Sequence, residues 1–251
     1  MVEAKKEPGK DNPADASRRS FLKVMMVLGV GAVTIGVARG AIQNLIPQSV
    51  GISSFPTLTL VNATTGAPIK TNDLIVNNPA AVVFDYPLQN EPNFLLRLGD
   101  SNGNDVAINP YNVQIPATGG TFKSPGGVGP HKSVVSSSAV CQHLGCTPPS
   151  IHFYKPGTTI PNHPGHSGPN NTGFIGCNCH GSTYDPYKGF SVVTGPTKSP
   201  LPNVTLKWDS LTSTYSVISL VGPTIYGHSD DLSGGNPLPS SSQTDVTTIS
   251  E

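Results

Sequence analysis

Two short boxes constrain this chain more than anything else in it. Cys141-Gln142-His143-Leu144-Gly145-Cys146 is answered by Cys177-Asn178-Cys179-His180-Gly181-Ser182, and together they hold all four cysteines of the 251 residues. Each box also carries one histidine at a short offset from a cysteine. Clustered cysteine and histidine pairs point to a bound metal, because thiolate and imidazole are the side chains that ligate transition metals best. Two sulfurs and two nitrogens would hold zinc tetrahedrally and leave two cysteines over. An iron–sulfur centre with two cysteine and two histidine ligands uses the same donors. From the residues alone both remain open.

The boxes resemble those of the Rieske iron–sulfur proteins of cytochrome bc-type complexes, Cys-x-His-x-Gly-Cys and Cys-x-Cys-His-x-Ser, and the likeness runs on through Thr183, Tyr184 and Asp185. Within the family the similarity is greatest to the archaeal branch called Rieske protein II, of quinol-oxidase supercomplexes. The resemblance implies one [2Fe-2S] cluster per chain, with Cys141 and Cys177 on one iron and His143 and His180 on the other. It implies a disulfide between Cys146 and Cys179, and hydrogen bonds to the cluster from Ser182 and Tyr184. It places Leu144 at the tip, and Gly195 and Pro196 at the start of a proline loop covering the cluster. Two neutral imidazoles in place of two thiolates remove negative charge, so such a cluster accepts an electron at roughly −150 to +300 mV against about −400 mV for plant-type ferredoxins. The second imidazole nitrogen of each ligand is left for proton exchange, so His143 and His180 are the candidate catalytic pair.

Residues 1–20 read as a polar cytoplasmic leader ending in Arg18-Arg19-Ser20, before Phe21-Leu22-Lys23, a pattern similar to a twin-arginine export signal. Residues 21–46 are largely apolar and carry no charge apart from Lys23 and Arg39, and Pro47 stops the run; the length suits one transmembrane helix. Arg18, Arg19 and Lys23 put the N-terminus inside and everything beyond outside.

Beyond the anchor, Ser, Thr, Gly, Pro and Asn dominate, and the apolar runs are short. Residues 57–61, 81–86, 94–98, 134–140, 190–193, 204–208 and 215–221 read as strands separated by turn clusters, which predicts an antiparallel all-β domain. The resemblance supplies the architecture: a β-sandwich-like base from residues 47–139 and 203–227, interrupted by a small cluster-binding subdomain at 140–202. Residues 148–172, rich in proline and glycine and containing His152, His163 and His166, read as a surface loop rather than a second metal site. Residues 228–251 read as a flexible tail. Asn62, Asn170 and Asn203 each begin a glycosylation sequon.

The formal net charge of zero hides a basic leader and an outer part with eight basic and eleven acidic residues. No basic stripe is present, which argues against nucleic acid as a partner. A low charge density leaves few groups to titrate, and predicts tolerance of an acidic exterior. The expected role is a membrane-anchored electron-transfer subunit of a quinol:acceptor oxidoreductase complex. The chain itself offers no substrate pocket. Its expected partners are quinol, a cytochrome b-like membrane subunit and a downstream haem or copper acceptor. The small subunit of an exported molybdenum oxidase, such as arsenite oxidase, is the alternative role.

Overall fold

The computed structural model describes residues 54–158, 172–228, 232 and 235–249. The leader, the twin-arginine motif, the 21–46 anchor, His163, His166 and the sequon at Asn170 lie outside the described residues. Among the described residues no helix is long and apolar enough to cross a membrane.

Thirteen strands and two single-turn 3-10 segments are the regular elements among the described residues, so the all-β expectation holds. The strands are β1 (Leu58–Asn62), β2 (Ala81–Asp85), β3 (Pro92–Arg97), β4 (Tyr111–Ile115), β5 (Gly120–Ser124), β6 (Val134–Ser138), β7 (Ile151–Tyr154), β8 (Phe174–Cys177), β9 (Thr183–Asp185), β10 (Ser191–Thr194), β11 (Asn203–Asp209), β12 (Thr214–Val221) and β13 (Gln243–Ile249). The base closes on itself as a seven-stranded barrel, in the order β1-β12-β11-β6-β3-β2-β13. A four-stranded sheet, β10-β9-β8-β7, and a two-stranded ribbon, β4-β5, complete the fold.

Period-two alternation sends neighbouring residues of one barrel strand to opposite faces. Leu95, Phe84 and Val134 join the core inside the barrel. Their neighbours Phe94, Leu96, Val83 and Val135 face outward into a second core, where they meet Ile151, Phe153, Ile175, Tyr184 and Phe190. The four-stranded sheet therefore packs on the outside of β2, β3 and β6. This is why β3 reads as a continuous apolar run in sequence: both of its faces are covered.

The chain leaves the barrel and returns to it at one place. Ser138 N donates to Pro202 O at 2.8 Å, and Ala139 N to Pro92 O at 2.8 Å. Two buried asparagines flank β6 there. Asn93 Nδ2 donates to the carbonyls of Tyr86 (2.7 Å) and Glu91 (2.8 Å). Asn203 Nδ2 donates to Gly189 and Leu201, both at 3.0 Å. Asn203 is only 1% exposed, so its sequon is not a surface acceptor.

The structure corrects two expectations. Residues 243–249 are not a flexible tail: β13 closes the barrel, pairing parallel with β1 and antiparallel with β2. Thr244 Oγ1 donates to Asp85 O at 2.7 Å, and Val246 is buried. Ladder hydrogen bonds on both sides order a strand whose side chains are mostly polar. Within the 148–172 segment, residues 151–154 form β7, with Ile151 and Phe153 in the second core. His152 belongs to that strand; its Nδ1 lies 3.0 Å from Pro149 O, and its ring lies 4.0 Å from that of Tyr154.

Because β13 carries the closure, Val246→Asp, which buries a charge without a partner, is expected to cost about 3 kcal/mol or more. Denaturant unfolding of the protein measures it; a mobile tail would tolerate the change.

Charge within the fold bears on acid tolerance. Arg97 holds Asp105 through two bonds, Nε to Oδ1 at 2.8 Å and Nη2 to Oδ2 at 2.7 Å, and donates from Nη1 to the carbonyls of Thr71 and Leu74. The Arg97 bonds hold the Asp105 carboxyl at about 2 against an ordinary 3.8. A carboxyl lowered in the folded state stabilises the fold above its unfolded value, and that contribution fades only as pH falls from about 4 to about 2. Burial instead raises Asp85 and Asp185, so protonating them favours the fold. The β-sheet circular-dichroism signal should therefore persist down to about pH 3; unfolding that began near pH 4 would contradict the balance of these groups.

Candidate metal centre

Each box is a one-turn hairpin, and the two are built alike. In the first, Cys141 N donates to Cys146 O and Gly145 N to Cys141 O, both at 2.9 Å. In the second, Cys177 N donates to Ser182 O at 2.8 Å and Gly181 N to Cys177 O at 2.9 Å. Residue five of each turn has a positive φ, +78° at Gly145 and +79° at Gly181. That left-handed conformation strains most side chains, which is why glycine stands there in both boxes. β6 leads through Ala139 and Val140 into the first loop, and β8 ends on Cys177 and opens the second.

Cys146 and Cys179 form the disulfide that joins the loops. The Cys177 sulfur lies within 4.8 Å of both of its sulfurs. Cys141 and Cys177 are free and buried. The hydrogen bond between them draws the Cys141 thiol down and, with burial, pushes the Cys177 thiol up. The rings of His143 and His180 meet edge to face with centroids 4.9 Å apart. His180 is exposed and His143 half-buried.

Two polar atoms at the site are buried without a hydrogen-bond partner, His143 Nδ1 and Ser182 Oγ. Leaving such an atom unpaired costs about 1–3 kcal/mol. Beside two free thiols and a second imidazole, these orphans fit a group that takes sulfur and nitrogen ligands and accepts a hydroxyl hydrogen bond. A [2Fe-2S] cluster meets that description. Cys141, Cys177, His143 and His180 are the residues that would hold it.

Tyr184 stands under the first loop, fully buried. Its hydroxyl lies 3.3 Å from Cys141 Sγ and accepts the Gln142 N–H at 3.1 Å. Burial raises its pKa, so it stays a donor. Gly195 packs on the second loop: a Cβ there would sit 2.4 Å from Gly181 O and 2.5 Å from Ser182 Cα. Pro196 is exposed, whereas Pro200 is buried together with Leu201 and Pro202. Leu144, at 54% exposure, projects from the first loop.

Sequence reasoning brought Cys141, His143, Cys146, Cys177, Cys179, His180, Ser182, Tyr184 and Gly195 to one place, and the structure joins them there. It missed Asn178, whose Oδ1 accepts from Tyr154 at 2.8 Å. It also missed Tyr226, whose ring covers Gly145. Asn178 occupies a variable position of the second box and Tyr226 lies in no motif, so neither residue type announced its role.

Residues 113–205 match the family model of the Rieske [2Fe-2S] domain. Among solved structures, the chain is similar to the soluble domain of the Rieske protein II (soxF) from Sulfolobus acidocaldarius, with 25% sequence identity, 73% of this chain and 86% of that one covered, and a TM-score of 0.47. By the family match, residues 113–205 form a Rieske domain, which binds a [2Fe-2S] cluster, and mark an electron-transfer iron–sulfur protein.

Hydrogen bonds donated to cluster sulfur favour the reduced, more negative state. Ser182→Ala and Tyr184→Phe are each expected to lower the midpoint potential while the cluster is retained. A charge-assisted bond is worth roughly 1.5–3 kcal/mol, and part of it acts on both redox states. The shift should be tens of millivolts, up to about 100. Voltammetry of each variant measures it; an unchanged potential in Tyr184→Phe would reduce Tyr184 to a prop for Gln142 N–H.

Proposed function

We propose that this chain is the membrane-anchored, extracytoplasmic iron–sulfur subunit of a respiratory quinol-oxidising complex. In this reading Cys141 and Cys177 ligate one iron, and His143 and His180 the other. The cluster, when bound, supplies a one-electron acceptor of high potential. A cytochrome b-like membrane subunit holds the quinol, and a haem or copper protein takes the electron onward.

The observation that carries the reading is the surface around the histidines. His180 is exposed and Leu144 projects beside His143, and neither residues 140–150 nor 177–184 contain a charged side chain. An uncharged apex bearing an imidazole and a leucine suits contact with an apolar partner at a membrane surface. The exposed imidazole edge offers a quinol hydroxyl a hydrogen-bond partner, and Leu144 excludes water from the contact. The Cys146–Cys179 disulfide fits an exported location, where such bonds persist. The 21–46 apolar run supplies the anchor, and the paired arginines before it the export signal.

Leu144→Asp tests the proposal. A charge at the centre of an apolar contact should slow quinol-dependent reduction of the cluster at least tenfold, since about 1.4 kcal/mol suffices for that. The midpoint potential should stay unchanged. Stopped-flow reduction by quinol in membranes bearing the whole complex is the measurement. Reduction at the wild-type rate would overturn the docking role. Failure of quinol to reduce the wild-type cluster, with reduction by a molybdenum-enzyme partner instead, would transfer the chain to the arsenite-oxidase-like role.

A further inference from the structure

The left-handed glycine of each box is covered by a residue from outside the box. Gly195 covers Gly181 in the second box. In the first, the cover is Tyr226: a Cβ built on Gly145 would lie 3.0 Å from Tyr226 Cδ1 and 3.3 Å from Cε1. The aromatic ring thus lies directly over the turn that carries His143.

Tyr226 belongs to residues 222–228, which continue from β12 and are fastened on both sides of the tyrosine. Ile225, immediately before it, is 1% exposed and sits in the core inside the barrel. His228, two residues after it, places Nδ1 2.9 Å from Glu91 Oε1, and Glu91 is itself buried. His228 N donates to Ile225 O at 3.1 Å, which closes the turn around Tyr226. Yet Tyr226 keeps 40% of its surface exposed. Burial of the ring does not account for so firm a mounting, because a half-exposed aromatic contributes only part of its transfer energy. Its mounting directs the ring at one place, the Gly145 backbone.

We infer that Tyr226 is a positioning residue of the first box. Its ring, seated on Gly145, shields that side of the loop from water and sets the placement of His143 two residues away. The inference rests on the reading of the two boxes as cluster-holding loops. It follows from the way potentials of such clusters respond to solvent access and to the environment of their ligands. The aromatic face makes the contact and the hydroxyl takes no part in it, so phenylalanine should serve as well.

The experiment uses the full chain carrying its cluster, as wild type, Tyr226→Ala and Tyr226→Phe. The readouts are the electron paramagnetic resonance g-values of the reduced cluster and its midpoint potential at one fixed pH. Tyr226→Ala should shift at least one of the two, and Tyr226→Phe should match the wild type in both. The inference is overturned if Tyr226→Ala coincides with the wild type in both, or if Tyr226→Phe departs as far as Tyr226→Ala. Should the alanine variant not fold, Tyr226→Ser is read by the same criteria. A wild-type chain showing no [2Fe-2S] spectrum would overturn the underlying reading as well, and so is distinguishable from failure of Tyr226 alone.

Discussion

Two short loops on different parts of a chain must meet at one point, and the Cys146–Cys179 bond is what makes them do so. Each loop on its own is closed by two backbone hydrogen bonds, each worth about 1 kcal/mol net. That is too little to hold a turn in one place against the entropy of ordering its residues. A covalent link across a sequence separation of 33 removes about 3–4 kcal/mol of unfolded-state entropy in the chain-entropy account. The link also fixes the loops relative to each other, which hydrogen bonds within each loop cannot do. The free thiols and the paired imidazoles are placed by geometry that begins with this bond.

Below the disulfide, the barrel supplies rigidity through two cores instead of one. β2, β3 and β6 contribute to both, so the four-stranded sheet rests on a face whose opposite side is already packed. The exit and return of the chain are tied by Ser138 to Pro202 and by the two buried asparagines that flank β6. A shift of the cluster loops therefore requires either stretching β6 or breaking buried polar contacts, and a buried donor left unpaired costs more than an exposed one. The contacts around Cys141 fit the same logic. Tyr184 lies beside Cys141 as a donor held neutral by burial.

The parts of this structure legible in the sequence share a physical cause. Seven strands, β1, β2, β3, β6, β10, β11 and β12, could be read because apolar side chains mark them, and those side chains are apolar because packing demands it. The cysteine and histidine boxes could be read because ligand chemistry permits few substitutes. β13 could not. In Gln-Thr-Asp-Val-Thr-Thr-Ile its order comes from the backbone ladders to β1 and β2, and backbone hydrogen bonds leave no trace in residue type. β4 and β5 form a two-stranded ribbon with mostly exposed side chains, so the apolar signal was weak there as well. β7 lay hidden by its setting, since Ile151 and Phe153 sit among prolines and glycines that read as loop. Contacts that cross the chain are the hardest to read. Tyr226 meets Gly145 across about eighty residues, and a lone tyrosine between Ile225 and Gly227 carries no pattern to announce it. Sequence periodicity reports which face of an element is buried. It is silent on which distant backbone a single side chain will cover, as Tyr226 covers Gly145.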